Sequence, residues 1–190
     1  MKFYALVIAC SLALAPFAHG DMPAAPHQYV SVSPRLGWFY FTMIPEQHPE
    51  LSSRDRFLNP DGFGIAYELQ RDGSSKELWR TSGWYSFEVY LSLDGEDLVA
   101  MGPWNELPGP KTADVALKIF HRGVLVKQYT VLELVRDRTK LKRSVSHYSW
   151  QGEAPYASFD TMDSFSVKTC DGLKYDFDPK TGAIKYVHSP

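Results

Sequence analysis

The segment RSVSHYSW, residues 143–150, places three serines around a histidine, the residue types that a serine hydrolase uses. In such an enzyme the histidine takes the proton of the serine hydroxyl, so the two side chains must lie within hydrogen-bond distance. If the segment is a β-strand, Ser146 points away from His147, and Ser149 shares its face but lies ~7 Å along the strand. No Gly-x-Ser-x-Gly turn occurs in the chain. The pattern favours a polar strand, and the alternative is a cell-envelope hydrolase that uses His147 with a distant nucleophile or acid.

Metal-ligating residue types are present but do not follow a known ligand spacing. The histidines beyond the N-terminal segment are scattered, at His27, His48, His121, His147 and His188. The segment DFDPKTG, residues 176–182, has the outline of a calcium loop, but Lys180 occupies a ligand position and no glutamate follows. It is better explained as a hairpin turn. Asp176 and Asp178, ~7 Å apart on one strand face, are typical of a solvated edge hairpin. We expect no metal and no cofactor.

Aromatic residues outside the expected core give the most specific indication of a binding surface. Trp84 and Tyr90 fall on the polar face of the segment at 84–93, and Trp104 lies in the proline-rich loop MGPWNELPGP. Such rings can stack on a sugar or clamp a peptide, because the face is apolar and the edge can form hydrogen bonds. The alternative is that a second sheet covers them and makes them core. The ligand-binding prediction therefore names Trp84, Tyr90 and Trp104.

Turn signals define the elements that must position these residues. Asp-Gly occurs at 61–62, 72–73, 94–95 and 171–172, mostly between short runs of β-branched and aromatic residues. Asp-Gly between such runs is the strongest local hairpin signal. The pattern predicts twelve strands, near 37–44, 63–70, 76–81, 86–93, 97–102, 115–121, 124–130, 143–150, 157–161, 164–170, 173–178 and 183–187.

The spacing of these strands predicts an all-β fold, an antiparallel meander that forms a sandwich or barrel. The run GWFYFTMI, apolar on both faces, predicts a strand that is covered on both sides. Thr130 and Glu133 form a capping-box pattern, which predicts one short helix near 131–137. The stretches 24–35, 45–62 and 103–114 have the composition of loops.

The N-terminal sequence MKFYALVIACSLALAPFAHG is typical of a secretory signal peptide cleaved near Gly20. Its apolar run is shorter than the ~20 residues that span a bilayer, so we expect no transmembrane segment in the mature chain. Val7-Ile8-Ala9-Cys10 has the outline of a lipobox, which would make Cys10 a lipidated N-terminus; we prefer ordinary cleavage. The remainder is predicted as a flexible segment, 21–36, and a single β domain, 37–190, in the periplasm or secreted.

Charge and cysteine content exclude some classes of function. The chain carries 20 Lys and Arg against 22 Asp and Glu, a net charge of −2. A mildly acidic chain of mixed sign does not favour nucleic acid as a partner. Once the signal peptide is removed, Cys170 has no cysteine with which to form an intramolecular disulfide.

Four segments together carry a resemblance: SLDGEDLVAMGPW, IFHRGVLVKQYTVLELV, RSVSHYSW and SFSVKTCDGLKYDFDPKTG. Across residues 85–182 the chain resembles a group of uncharacterised secreted bacterial β-proteins. The resemblance implies an all-β fold and transfers no catalytic residue.

These observations lead to a functional hypothesis. We expect an exported, non-enzymatic binding or protein-interaction domain of the cell envelope, with a glycan, a peptide or an envelope protein as partner. The hydrolase that uses His147 remains the alternative. An exposed aromatic patch would favour binding, whereas His147 in a concave pocket beside a hydroxyl or carboxylate would favour the enzyme.

Overall fold

The computed structural model describes residues 25–34, 37–47, 61–103 and 105–190. Two four-stranded antiparallel sheets come first along the chain. Sheet I contains β1 (Tyr29–Val32), β2 (Phe39–Pro45), β3 (Gly62–Leu69) and β4 (Ser75–Ser82), paired in that order. Sheet II contains β5 (Val89–Leu91), β6 (Asp97–Met101), β8 (Val115–His121) and β9 (Val124–Thr130), also in chain order.

Two further sheets complete the fold. Sheet III is small and has the order β10 (Lys142–Arg143), β11 (His147–Ser149) and β7 (Asn105–Glu106). Sheet IV is again a four-stranded meander, of β12 (Ala157–Thr161), β13 (Ser164–Lys168), β14 (Lys174–Phe177) and β15 (Ile184–His188). A short helix, α1 (Val131–Leu134), and a 3₁₀ turn (Arg138–Lys140) connect sheet II to sheet III. The predicted all-β class is confirmed.

Sheet II is the middle layer of a stacked sandwich. Successive residues of a strand point to opposite faces, and all five residues of β6 are buried. Leu98 and Ala100 pack with sheet I in one cluster, whereas Val99 and Met101 pack with sheet IV in the other. One face of sheet II therefore packs against sheet I, and the opposite face packs against sheet IV.

The helix is confirmed and is shorter than the predicted span of 131–137. The Glu133 carboxylate accepts hydrogen bonds from the Thr130 amide and hydroxyl, at 2.7 and 2.9 Å. This is the reciprocal contact by which a capping box satisfies the first amides of a helix. Val131 and Leu134 are buried in the cluster between sheets II and IV, so packing holds this single turn in place.

Several strand predictions were wrong in their details. Tyr29–Val32, which lie in the predicted loop at 24–35 and the segment at 21–36, form β1 because their backbone pairs with β2. Asn105–Glu106, in the predicted loop at 103–114, form β7. The strand that is covered on both sides is β6, whereas β2 buries Phe41 and Met43 on one face and leaves the other half-buried.

Within the described residues, none of the helices has the length and apolar character that a membrane span requires. The predicted signal peptide, Cys10 and most of the predicted loop at 45–62 lie outside the described residues, and they remain predictions.

Candidate functional site

Trp84 is a core residue and offers no stacking surface. Its side chain is only 7% exposed. The ring stacks on Phe120 of sheet II with centroids 4.7 Å apart, and Phe41 of sheet I lies parallel at 6.3 Å. The indole N–H donates to the Thr81 hydroxyl at 3.0 Å. Packing between sheets I and II thus accounts for this ring, as the core alternative in the sequence analysis anticipated.

Tyr90 is half-buried in the cluster between sheets II and IV. Its ring contacts Phe165 at a centroid distance of 5.5 Å, and its hydroxyl donates to Glu88 Oε1 at 2.5 Å. Burial raises the pKa of this phenol well above its usual range, and the bond to the Glu88 carboxylate raises it further. Trp104 lies outside the described residues, so its part in a ligand surface stays a prediction.

A cavity of about 380 Å³ opens where sheets II and III meet, and we call it the junction cavity. Three separate segments of chain line it: residues 87 and 88 before β5, residues 101–103 with Asn105, and residues 147–151. Phe87 is the partly exposed aromatic residue of the lining, whereas Tyr148 and Trp150 are each only 2% exposed, and Glu88 and His147 are the ionisable residues. Ligand sites are typically concave, mostly apolar and furnished with a few polar groups, as this cavity is.

His147 lines the junction cavity beside the hydroxyl of Ser144, which the predicted continuous strand would place on the opposite face. Ser144 Oγ lies 2.5 Å from His147 Nδ1. The predicted strand at 143–150 is interrupted, because β10 pairs directly with β11 and residues 144–146 form the turn between them. The turn brings Ser144 back to His147, which an unbroken strand would not allow.

The Ser144 hydroxyl also serves the turn itself. It accepts the backbone N–H groups of Ser146 and His147 at 3.4 and 3.3 Å, a common arrangement of serine in tight turns. Since these bonds use the hydroxyl as an acceptor, its proton is available for His147 Nδ1. When the hydroxyl donates to Nδ1, the imidazole carries its proton on Nε2; in the other tautomer, Nδ1–H donates to Ser144 Oγ. Ser144 thereby orients the ring.

Glu88 stands at the centre of a second polar group in the junction cavity. Tyr90 and Tyr156 donate to Glu88 Oε1 and Oε2, each at 2.5 Å. Burial raises the pKa of Tyr156 as it does for Tyr90, and the Glu88 carboxylate adds to the effect. Both phenols therefore stay protonated and act as donors across the accessible pH range.

The backbone around Glu88 is fixed by a buried serine. Ser86 Oγ lies 2.8 Å from the carbonyl oxygens of both Glu88 and Met101, and it accepts the Glu88 amide at 3.1 Å. Met101 N–H in turn donates to the Glu88 carbonyl at 3.0 Å. From β1, Tyr29 donates to the Ser86 carbonyl at 2.7 Å. These bonds set the position of Glu88 relative to β6.

Asp176 and Asp178 of sheet IV have separate hydrogen-bond partners. Asp176 accepts from Ser166 at 2.6 Å, and it also contacts Lys174 and His188. Asp178 accepts the Lys180 amide at 2.9 Å within the hairpin turn, which confirms the turn predicted for DFDPKTG. Among the residues that the structure describes, no group of three or more acidic, histidine or cysteine side chains could hold a metal ion.

Cys170 is half-buried, and burial together with the neighbouring Asp171 raises the pKa of its thiol. A raised pKa lowers the thiolate fraction at neutral pH, which argues against a reactive cysteine.

Alternation along residues 84–93 puts Glu88 on the same face as Tyr90, but the sequence did not identify Glu88 as a site residue. The signal that could have identified it is a carboxylate two positions from a tyrosine on one strand face. His147 was singled out by its residue type, whereas Asn105 lay in a predicted loop and joins the lining through the pairing of β7 with β11. Comparison with known proteins found no matching family model and no significant match among curated proteins.

Proposed function

We propose that this chain is an exported, non-enzymatic binding domain of the cell envelope, and that a small ligand occupies the junction cavity. The observation that carries the proposal is the junction cavity itself, with a largely apolar lining and the polar residues Glu88, Asn105 and His147. This replaces the surface of Trp84, Tyr90 and Trp104 as the proposed site, since Trp84 is buried. A volume of about 380 Å³ suits a small molecule or a single side chain.

Rigid surroundings support a binding role. The Ser86 bonds fix the Glu88 segment, the Ser144 bond orients His147, and Asn105 is buried in β7 opposite Tyr148. Groups held in place before the ligand arrives lose little conformational freedom when they bind it.

The test is a binding measurement with three probes of equal size: phenethylamine, 2-phenylethanol and phenylacetate. We expect at least one to shift the backbone NMR signals of residues 87–88, 101–102, 105 and 147–151. The cavity-filling variant Ser149→Trp should abolish the shifts. Its matched control is Ser158→Trp, which places the same ring at an exposed position of β12 and should leave binding intact.

Two results would overturn the proposal. One is that none of the three probes moves the signals of the junction cavity at millimolar concentration. The other is that Ser149→Trp binds as well as the wild-type protein does.

A hydrolase that uses His147 is the second candidate, and one observation favours it. His147 lines the junction cavity and has the Ser144 hydroxyl 2.5 Å from Nδ1, as the enzyme hypothesis required. In this account Nδ1–H donates to Ser144 Oγ, which positions the ring, and the unprotonated Nε2 acts as a general base for water or a substrate hydroxyl. Against it, Ser144 Oγ already accepts the backbone N–H groups of Ser146 and His147, and these bonds compete with one from Nδ1–H.

The two candidates differ in ester hydrolysis. With p-nitrophenyl esters, the binding proposal expects the same background rate for the wild-type protein, for His147→Gln and for the control His188→Gln. A saturable rate that disappears in His147→Gln and persists in His188→Gln would establish the hydrolase and contradict a non-enzymatic role.

A further inference from the structure

We infer that the ligand of the junction cavity is an organic cation, a small amine on an apolar stem that places its ammonium group against Glu88. This inference rests on the proposed function and adds the chemical class of the ligand.

The first support is the charge of the cavity lining. Among the described residues that line it, Glu88 is the one carboxylate, and lysine and arginine are absent. Glu88 is therefore the one acidic group of this lining, and no lysine or arginine opposes it. A cation entering this site is attracted by Glu88, whereas an anion is repelled.

The second support is the way in which Glu88 is held. The phenol hydroxyls of Tyr90 and Tyr156 donate to its two oxygens at 2.5 Å. These neutral donors replace hydrogen bonds to water that the carboxylate loses when it is partly buried. A lysine or arginine partner would have cancelled the charge, but the phenols leave it in place. The same charge acts on Tyr29 as well, where it adds to the effect of burial in raising the pKa of the phenol.

The third support is the capacity of Glu88 to accept further bonds. An ionised carboxylate offers about four lone-pair positions. Tyr90 and Tyr156 use one on each oxygen. The positions that remain can accept from an ammonium group, which donates up to three hydrogen bonds.

The apolar part of the lining favours the same class of ligand. Phe87 is partly exposed at the junction cavity, whereas Tyr148 and Trp150 are core residues at 2% exposure. An aromatic ring binds an apolar stem by contact, and its face also attracts cations. A carboxylate that shares the lining with Phe87 is therefore matched to an amine with an apolar stem.

A purely structural role for Glu88 is the alternative. In that case the carboxylate only links the segment before β5 to Tyr156 by a hydrogen bond and stabilises the fold. The two roles differ in the effect of Glu88→Gln. If Glu88 is structural, the substitution lowers the free energy of unfolding; if Glu88 binds a cation, the substitution removes the preference for a charged amine over a neutral ligand. The decisive quantity is the ratio of dissociation constants for two ligands of equal shape.

The experiment measures dissociation constants for phenethylamine, 2-phenylethanol and phenylacetate by calorimetry at pH 7.5. We expect the wild-type protein to bind the amine about tenfold more tightly than the alcohol, since a hydrogen bond to a charged group is stronger than a neutral one. Glu88→Gln should bring the ratio close to one. The matched control Glu77→Gln, at an exposed salt bridge with Arg80, should preserve it.

The outcomes separate this inference from the proposed function. Binding of the alcohol or phenylacetate as tightly as the amine would overturn the cation inference and leave the binding function standing. If none of the three binds, both fall. If Glu88→Gln does not fold, salt dependence of the wild-type protein decides: amine affinity must fall as salt rises, while alcohol affinity stays constant.

Discussion

The ring of Trp84 shows why the face of a residue does not by itself decide its exposure. Alternation put this tryptophan on the polar side of its segment, together with serines and Glu88. In the fold, Trp84 lies before β5, so the alternation of that strand does not extend to it: the ring packs between sheets I and II, with Phe41 and Phe120 on either side, whereas Tyr90 faces sheet IV. Large aromatic side chains bury more area than any other residue, so a covering sheet recruits them to the core.

Replacing Trp84 tests this assignment against an exposed tryptophan. We expect Trp84→Ala to lower the free energy of unfolding by about 3–5 kcal/mol, as is typical for removal of a buried aromatic ring. Trp38, which is 42% exposed, provides the control, and Trp38→Ala should cost about 1 kcal/mol or less. Urea unfolding at 25 °C measures both. Equal losses in the two variants would contradict the burial of Trp84.

At the scale of elements, the sequence located most strands, because Asp-Gly turns separate them and alternation marks their faces. It missed β1 and β7, whose short segments have the composition of loops and become strands only by pairing with β2 and β11. It also read residues 143–150 as one strand, since nothing local marks the turn that starts at Ser144. Long-range pairing supplied what the local pattern lacked.

A connection between two elements gives a prediction about pH. Asp171, in the hairpin between β13 and β14, accepts the amides of Arg136 and Asp137 after α1, at 2.8 and 2.9 Å. Partial burial alone would raise the pKa of Asp171, but the bonds from Thr169 and from these amides together lower it below the ordinary 3.8. The folded state thus favours the ionised form.

A lowered pKa in the folded state means that the stabilisation is complete above the ordinary value of 3.8 and is lost as the pH falls below it. We expect Asp171→Asn to be about 1 kcal/mol less stable than the wild-type protein at pH 7. The difference should shrink toward zero near pH 2–3, as Asp171 of the wild-type protein becomes protonated. Urea unfolding at several pH values checks this, with the exposed Asp163→Asn as control. A difference independent of pH would contradict the role of the carboxylate charge.

On the scale of the whole molecule, the meeting of sheets II and III creates the site. The junction cavity draws residues from segments about 60 positions apart in the chain, at 87–88 and 147–151, and they meet where sheet II contacts sheet III. Composition and alternation predicted the all-β class. The central position of sheet II and the cavity between sheets II and III both follow from packing, so the local sequence pattern could not reveal them. His147 was identified from its residue type, but its partner Ser144 and its neighbour Glu88 needed the assembled fold.

The indole N–H signals of the tryptophans, followed by two-dimensional NMR as phenethylamine is added, test the binding account most directly. Trp150 lines the junction cavity, whereas Trp79 and Trp84 pack between sheets I and II with their N–H groups bonded to Gly95 and Thr81. We expect a saturable shift of the Trp150 signal while the Trp79 and Trp84 signals stay in place. A Trp150 signal that does not move, or equal movement of all three, would contradict the assignment of the junction cavity as a ligand site.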